Sequence, residues 1–170
     1  DSIARWLGTE RVVRSMPNTP ALVGKGVTAL FARAGVSPHD RSLVERVITT
    51  TGDFLWVDAE PQLDAVTALS GSGPAYVFYF IEAMVQAGQS MGLSEQQSKQ
   101  LAIATFAGAS DLALNSSEPP AVLRERVTSK GGTTYAALTS MQKDQVAEAF
   151  VRAMRAAGAR AKELGDEFGG

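Results

Sequence analysis

The sequence predicts a mainly α chain in which an all-helical part follows a short βαβ stretch. Three observations carry that reading. Up to about residue 60, β-rich runs alternate with turns. From Pro61 onward the apolar residues recur at helical spacing. The Gly, Pro and Ser clusters fall where such helices have to start or stop. Two parts are therefore expected, residues 1–60 and residues 61–168.

Arg11–Met16 reads as a first strand, stopped by Pro17-Asn18-Thr19-Pro20. Gly26–Ala32 reads as a second and Phe54–Val57 as a third. Between these last two lies a helix with Ser37 as its N-cap, Pro38 at its first position and Asp40 as negative charge in its first turn. Leu43, Val44, Val47 and Ile48 form its apolar stripe, and Gly52 ends it. Strand, helix, strand is a βαβ unit.

The helical part starts near Gln62 with Leu63, Val66 and Leu69, and Ser70–Pro74 interrupts or bends that helix. The next runs from Pro74 to Met91. Val77, Phe78, Phe80, Ile81, Met84 and Val85 cover most of its circumference, so burial on several sides is expected. Ser94 and Gln97 form a capping box for a third helix, rich in small residues such as Ala102, Ala104, Gly108 and Ala113. Pro119-Pro120 opens a short helix to Val127. Two more are expected, Thr133–Met141 and Asp144–Leu164.

Composition narrows the chemistry. The 170 residues carry 16 Lys+Arg against 18 Asp+Glu, with no long basic run. Neither nucleic acid nor a membrane surface is an expected partner. With no Cys there are no disulfides, thiolates or Cys-based zinc sites. The single His39 cannot supply paired imidazoles, and no metal site is expected. No apolar run reaches the roughly 18 residues of a membrane span, and the cytoplasm is the expected compartment. What remains is hydroxyls, backbone amides, carboxylates, amines or a cofactor.

Three segments could carry such chemistry. Met16-Pro17-Asn18-Thr19-Pro20 directly follows a strand, where ligands of open α/β sheets bind, although a plain Pro-rich turn has the same pattern. Ser70-Gly71-Ser72-Gly73-Pro74 lacks the third glycine of G-x-G-x-x-G, since Tyr76 stands there. It marks either a close approach to the backbone or a helix kink. Ser129-Lys130-Gly131-Gly132-Thr133-Thr134 lacks the spacing of a Walker loop but opens a helix, whose unpaired amides suit a carboxylate or phosphate. Simple N-capping is the alternative there.

Together these motifs, extended to Leu69–Tyr76 and Val127–Thr134, resemble pyrroline-5-carboxylate reductase in identity, order and spacing over residues 1–165. Many members of that family have Pro where Lys130 stands. The resemblance implies a helical dimerisation domain, like the C-terminal domain of 6-phosphogluconate dehydrogenase, after the last βαβ part of a Rossmann domain. It implies reduction of L-1-pyrroline-5-carboxylate to L-proline with NADPH or NADH, the last step of proline synthesis. Thr134 would be catalytic, its hydroxyl on the ring nitrogen. Ser129, Gly131, Gly132, Thr133 and Thr134 would bind the substrate. Pro17, Asn18, Ser70 and Gly71 would lie at the cofactor. An intertwined homodimer, and rings of dimers up to a decamer, would be the assembly.

The chief departure is that no G-x-G-x-x-G occurs in the sequence and no βα unit precedes Arg11. A truncated form, inactive or nearly so by itself, is therefore expected. Two alternatives are a non-catalytic helical assembly module and a related β-hydroxyacid reductase. Against the latter, Pro74–Met91 contains no Lys.

Overall fold

The computed structural model describes residues 2–168. In chain order these form α1 (Ser2–Leu7), β1 (Val13–Met16), a 3-10 turn (Thr19–Val23), β2 (Gly26–Ala32), α2 (Pro38–Ile48) and β3 (Gly52–Trp56). Then follow α3 (Gln62–Val66), a π-helical turn (Thr67–Gly71), α4 (Gly73–Ser90), α5 (Glu95–Leu114), α6 (Pro120–Arg126), α7 (Thr133–Lys143) and α8 (Val146–Phe168). The fold is mainly helical after a small βαβ unit, as the sequence predicts.

The sheet has the order β1-β2-β3. β2 and β3 are parallel, joined through α2, while β1 runs antiparallel to β2 with Met16 opposite Ala29. The central strand is the most buried, with Thr28, Ala29 and Leu30 at 1% exposure or less. At the start of the parallel pair, Gly26 lies opposite Gly52. Gly52 has φ +142°, and a Cβ there would lie 2.0 Å from the Gly26 carbonyl oxygen. Only a residue without a side chain permits that approach.

α2 is fixed at both ends by side chains. The Asp40 N–H donates to Ser37 Oγ at 3.1 Å, and the Ser37 N–H donates to Asp40 Oδ2 at 3.1 Å, closing a capping box. Arg11 reaches the same carboxylate at 2.8 Å. Arg11, then the Ser37 hydroxyl and amide, hold Asp40 far below the usual aspartate range. Trp56 Nε1–H donates to Glu45 Oε1 at 2.7 Å, and the Arg41 guanidinium lies 4.7 Å from the Trp56 ring centroid, so β3 and α2 are tied together.

Between α3 and α4 the chain does not break. The Ser72 N–H skips the Ala68 carbonyl and donates to that of Thr67 at 2.8 Å, producing a π turn. The bend expected at Ser70–Pro74 is therefore a helical slip in register. α5 has its capping box: Gln97 N–H donates to Ser94 Oγ at 3.2 Å and Ser94 N–H to Gln97 Oε1 at 2.9 Å. α4 and α5 meet closely, since a Cβ on Gly88 would lie 2.4 Å from Ser98 Oγ. α1 is not among the helices that the sequence predicts. α8 starts at Val146 instead of Asp144 because Asp144 caps α7 and Gln145 turns left-handed, with φ 52°.

The chain divides into two compact units. One holds residues up to Tyr76 with those from Val151 onward; the other is Val77–Phe150. In the second, Phe80 and Phe150 meet edge-on with centroids 5.6 Å apart. Among the described residues the buried apolar core is small: Ala4, Ala29, Leu30, Leu63, Ala68 and Ala102.

The expectation that α4 is buried on several sides is not met within one chain. Val77, Phe78 and Tyr79 are 40%, 59% and 69% exposed. The cause is a shortage of covering surface. The chain exposes 12075 Å². Two separate compact globules of these sizes would expose about 9,600 Å².

The Gly26–Gly52 approach generates a prediction. Gly52→Ala combines backbone strain with a backbone clash and should cost about 3 kcal/mol. Gly8→Ala, at φ +64° with nothing within 4 Å of its Cβ, should cost about 1 kcal/mol. Urea midpoints of the two variants check this; equal costs would contradict it.

Candidate functional site

The chain leaves β1 at Met16 and enters an extended residue, Asn18, with φ −128° and ψ 166°. Asn18 does not cap the 3-10 turn with its side chain. Instead the Val27 N–H donates to Asn18 Oδ1 at 3.0 Å, tying the segment to β2. Its side-chain amide NH2 keeps two donors for other partners. Pro17 is exposed and Asn18 half-buried. Met16 reaches across to the π turn: a Cβ on Gly71 would lie 2.6 Å from Met16 Cε. Two segments far apart in sequence therefore touch. The close backbone approach expected at Ser70–Pro74 is present at Gly71, with Met16 as the approaching group.

Ser70 is half-buried, and its hydroxyl donates to the Val66 carbonyl at 3.1 Å. Thr67 does the same to Leu63 at 2.8 Å. Tyr76 Oη–H donates to the Ala68 carbonyl at 3.1 Å. Tyr76 stands in the Leu69–Tyr76 motif, but its bond has no local signature in the sequence because it joins residues eight apart.

The third segment lies in the other unit. The Gly132 N–H donates to the Ser129 carbonyl at 3.0 Å, closing a tight turn over Ser129–Gly132. Gly131, third in that turn, has φ +75°, the conformation for which glycine is chosen. Lys130 is second, a position equally suited to the fixed φ of Pro. Thr128 Oγ1–H secures the approach to the turn on the Arg124 carbonyl at 2.6 Å.

Gly132 is then the N-cap of α7, and no side chain caps this helix. α2 and α5 differ, each carrying a serine capping box. The simple N-capping alternative for this loop is thus without its side-chain bond. The leading amides of α7, on Thr133 and Thr134, sit at the positive end of an 11-residue helix. A Cβ on Gly132 would lie 2.5 Å from Ser129 Oγ, so the Ser129 hydroxyl folds over Gly132. Thr133 is exposed and Thr134 half-buried. Hydroxyls and amides collected at one helix start form a donor set for a carboxylate or phosphate. Among the described residues, no cluster of three or more His, Asp or Glu could hold a metal ion. No helix there is long and apolar enough to cross a membrane.

Comparison with known proteins points the same way. Residues 60–164 match the family described as pyrroline-5-carboxylate reductase dimerisation. A pyrroline-5-carboxylate reductase from Pseudomonas aeruginosa is 45% identical over 169 residues, covering 99% of this chain and 62% of that protein. One from Arabidopsis thaliana is 37% identical, covering 96% of this chain and 59% of that protein. Among solved structures, a pyrroline-5-carboxylate reductase from Coxiella burnetii superposes with a TM-score of 0.92 at 41% identity, covering 95% of this chain and 60% of that one. A Plasmodium falciparum pyrroline carboxylate reductase with NADP bound gives 0.88 at 33% identity, covering 96% and 66%. The chain spans about three fifths of the length of the curated relatives it matches.

The Asn18–Val27 bond separates two roles for one side chain. Asn18→Ala leaves a part-buried amide without its acceptor and should lower stability by about 1–2 kcal/mol. Asn18→Asp keeps the acceptor and should recover most of the loss. Urea denaturation of both variants checks this; an Ala variant as stable as the native chain would refute the tie.

Proposed function

Because the chain belongs to the pyrroline-5-carboxylate reductase family, we propose that it provides the substrate-binding and dimerisation part of an enzyme reducing L-1-pyrroline-5-carboxylate to L-proline. The observation that carries this is the uncapped start of α7 at Gly132, immediately followed by Thr133 and Thr134. We place the boundary of the helical part near residue 60, a reading supported by the start of the matched region there.

In this proposal the amides of Thr133 and Thr134, with the Ser129 hydroxyl and the turn that Gly131 and Gly132 form, hold the substrate carboxylate. The Thr134 hydroxyl hydrogen-bonds the ring nitrogen and holds its proton. Binding at two ends fixes the ring against rotation, which is the protein's main contribution to such a reaction. A separate set of residues, Pro17, Asn18, Ser70 and Gly71 of the first unit, would serve the cofactor. The contact of Met16 with Gly71, the two amide N–H donors of the Asn18 side chain and the lack of long side chains at Pro17 and Gly71 fit a flat ring bearing a carboxamide. These residues would hold the nicotinamide of NADPH or NADH, which supplies the hydride when bound.

The exposed apolar face of α4 supports an intertwined homodimer, and assembly of such dimers into a decamer is the finer form of the proposal. Within it, the 170 residues by themselves turn substrate over poorly or not at all. Support for that comes from the share of each relative that the chain covers.

The test is Thr134→Ala in the complete gene product. Turnover of pyrroline-5-carboxylate should fall about a hundredfold with the assembly intact. An unchanged rate would reject the role of Thr134, and a native protein without turnover would reject the function.

A further inference from the structure

Tyr76 belongs to neither set of site residues proposed above, yet its hydroxyl is placed at the π turn between α3 and α4. In an α-helix the Ala68 carbonyl would accept the Ser72 N–H. In the π turn that N–H goes to Thr67 instead, at 2.8 Å. The Ala68 carbonyl, on a residue only 6% exposed, has lost its α-helical partner, and such a group has to be matched. The Tyr76 hydroxyl donates to it at 3.1 Å. A π turn commonly marks a functional site because it re-aims the residues it contains. Here those residues include Ser70 and Gly71, and Gly71 lies against Met16, the residue before Pro17 and Asn18.

We propose that Tyr76 is a positioning residue. Its hydroxyl latches the Thr67–Gly71 π turn so that Ser70 and Gly71, and through Met16 the Pro17-Asn18 segment, are held ready for the nicotinamide cofactor. The proposal rests on the functional reading above. It separates two duties of the protein: the Ser129–Thr134 loop holds the substrate carboxylate, and the latched turn sets the cofactor side. Loss of the latch therefore acts on the cofactor and spares the substrate.

Tyr76→Phe removes the hydroxyl and keeps the ring. Two measurements on the complete gene product read the result. Amide hydrogen exchange at Gly71, Ser72 and Gly73 should quicken about fivefold, the effect of one lost hydrogen bond of ordinary strength, with α5 unchanged. The KM for the nicotinamide cofactor should rise about fivefold while the KM for the cyclic imine stays within about twofold. Unchanged exchange at the turn would overturn the latch, and so would exchange that quickens throughout the chain. Faster exchange with both KM values unchanged, or both raised alike, would overturn the positioning role. A native enzyme without turnover would refute the functional reading and the positioning role with it, while exchange would still decide the latch.

Discussion

The constraint on which the rest depends is a surplus of apolar helix surface over the surface available to cover it. α4 has a mean composition of Val, Phe, Tyr, Ile, Met and Ala with Glu82 as its one charged residue, yet only Gly88 in it is buried. Leu101, Ile103, Leu112 and Leu114 of α5 are also exposed. The excess over two compact globules is about 2,500 Å² per chain, the scale of an obligate homodimer interface. The small residues that bring α4 and α5 together at Gly88 and Ser98 arrange this surface without covering it.

The sheet half meets a different constraint, close backbone approach. Gly52 against Gly26 sets the start of the parallel pair, and Gly71 against Met16 joins the end of β1 to the π turn. Each contact needs a missing side chain, and each sits beside a segment for which a role in the site is proposed. The loop before α7 uses glycine for another reason: Gly131 supplies a left-handed turn, and Gly132 leaves the helix start open to an outside acceptor.

Local chemistry was legible in the sequence where it is governed by neighbours in the chain. Ser94 with Gln97, and Ser37 before Pro38, set helix starts through bonds that span three residues, and both are found. The βαβ unit followed from hydrophobic runs and a capped helix between them. What the sequence did not display depends on contacts across the fold. The π register reads in the sequence as a plain Gly-Ser break, because the Tyr76–Ala68 bond that accompanies the slip joins residues eight apart. Gln145 looks like an ordinary helix residue, and its left-handed turn sets the boundary of α8. β1 pairs antiparallel with β2, and the link between them holds the Asn18–Val27 bond and the 3-10 turn, neither of which strand propensity encodes. Of the site residues, the loop at 129–134 could be argued from helix-end electrostatics alone, whereas the association of Met16 with Gly71 could not.

Sedimentation equilibrium of the 170-residue chain at micromolar concentration tests the central claim most directly. An assembly of at least twice 17.9 kDa that persists on dilution is expected. A monomer of 17.9 kDa that unfolds cooperatively, with α4 amides fully protected from exchange, would contradict it.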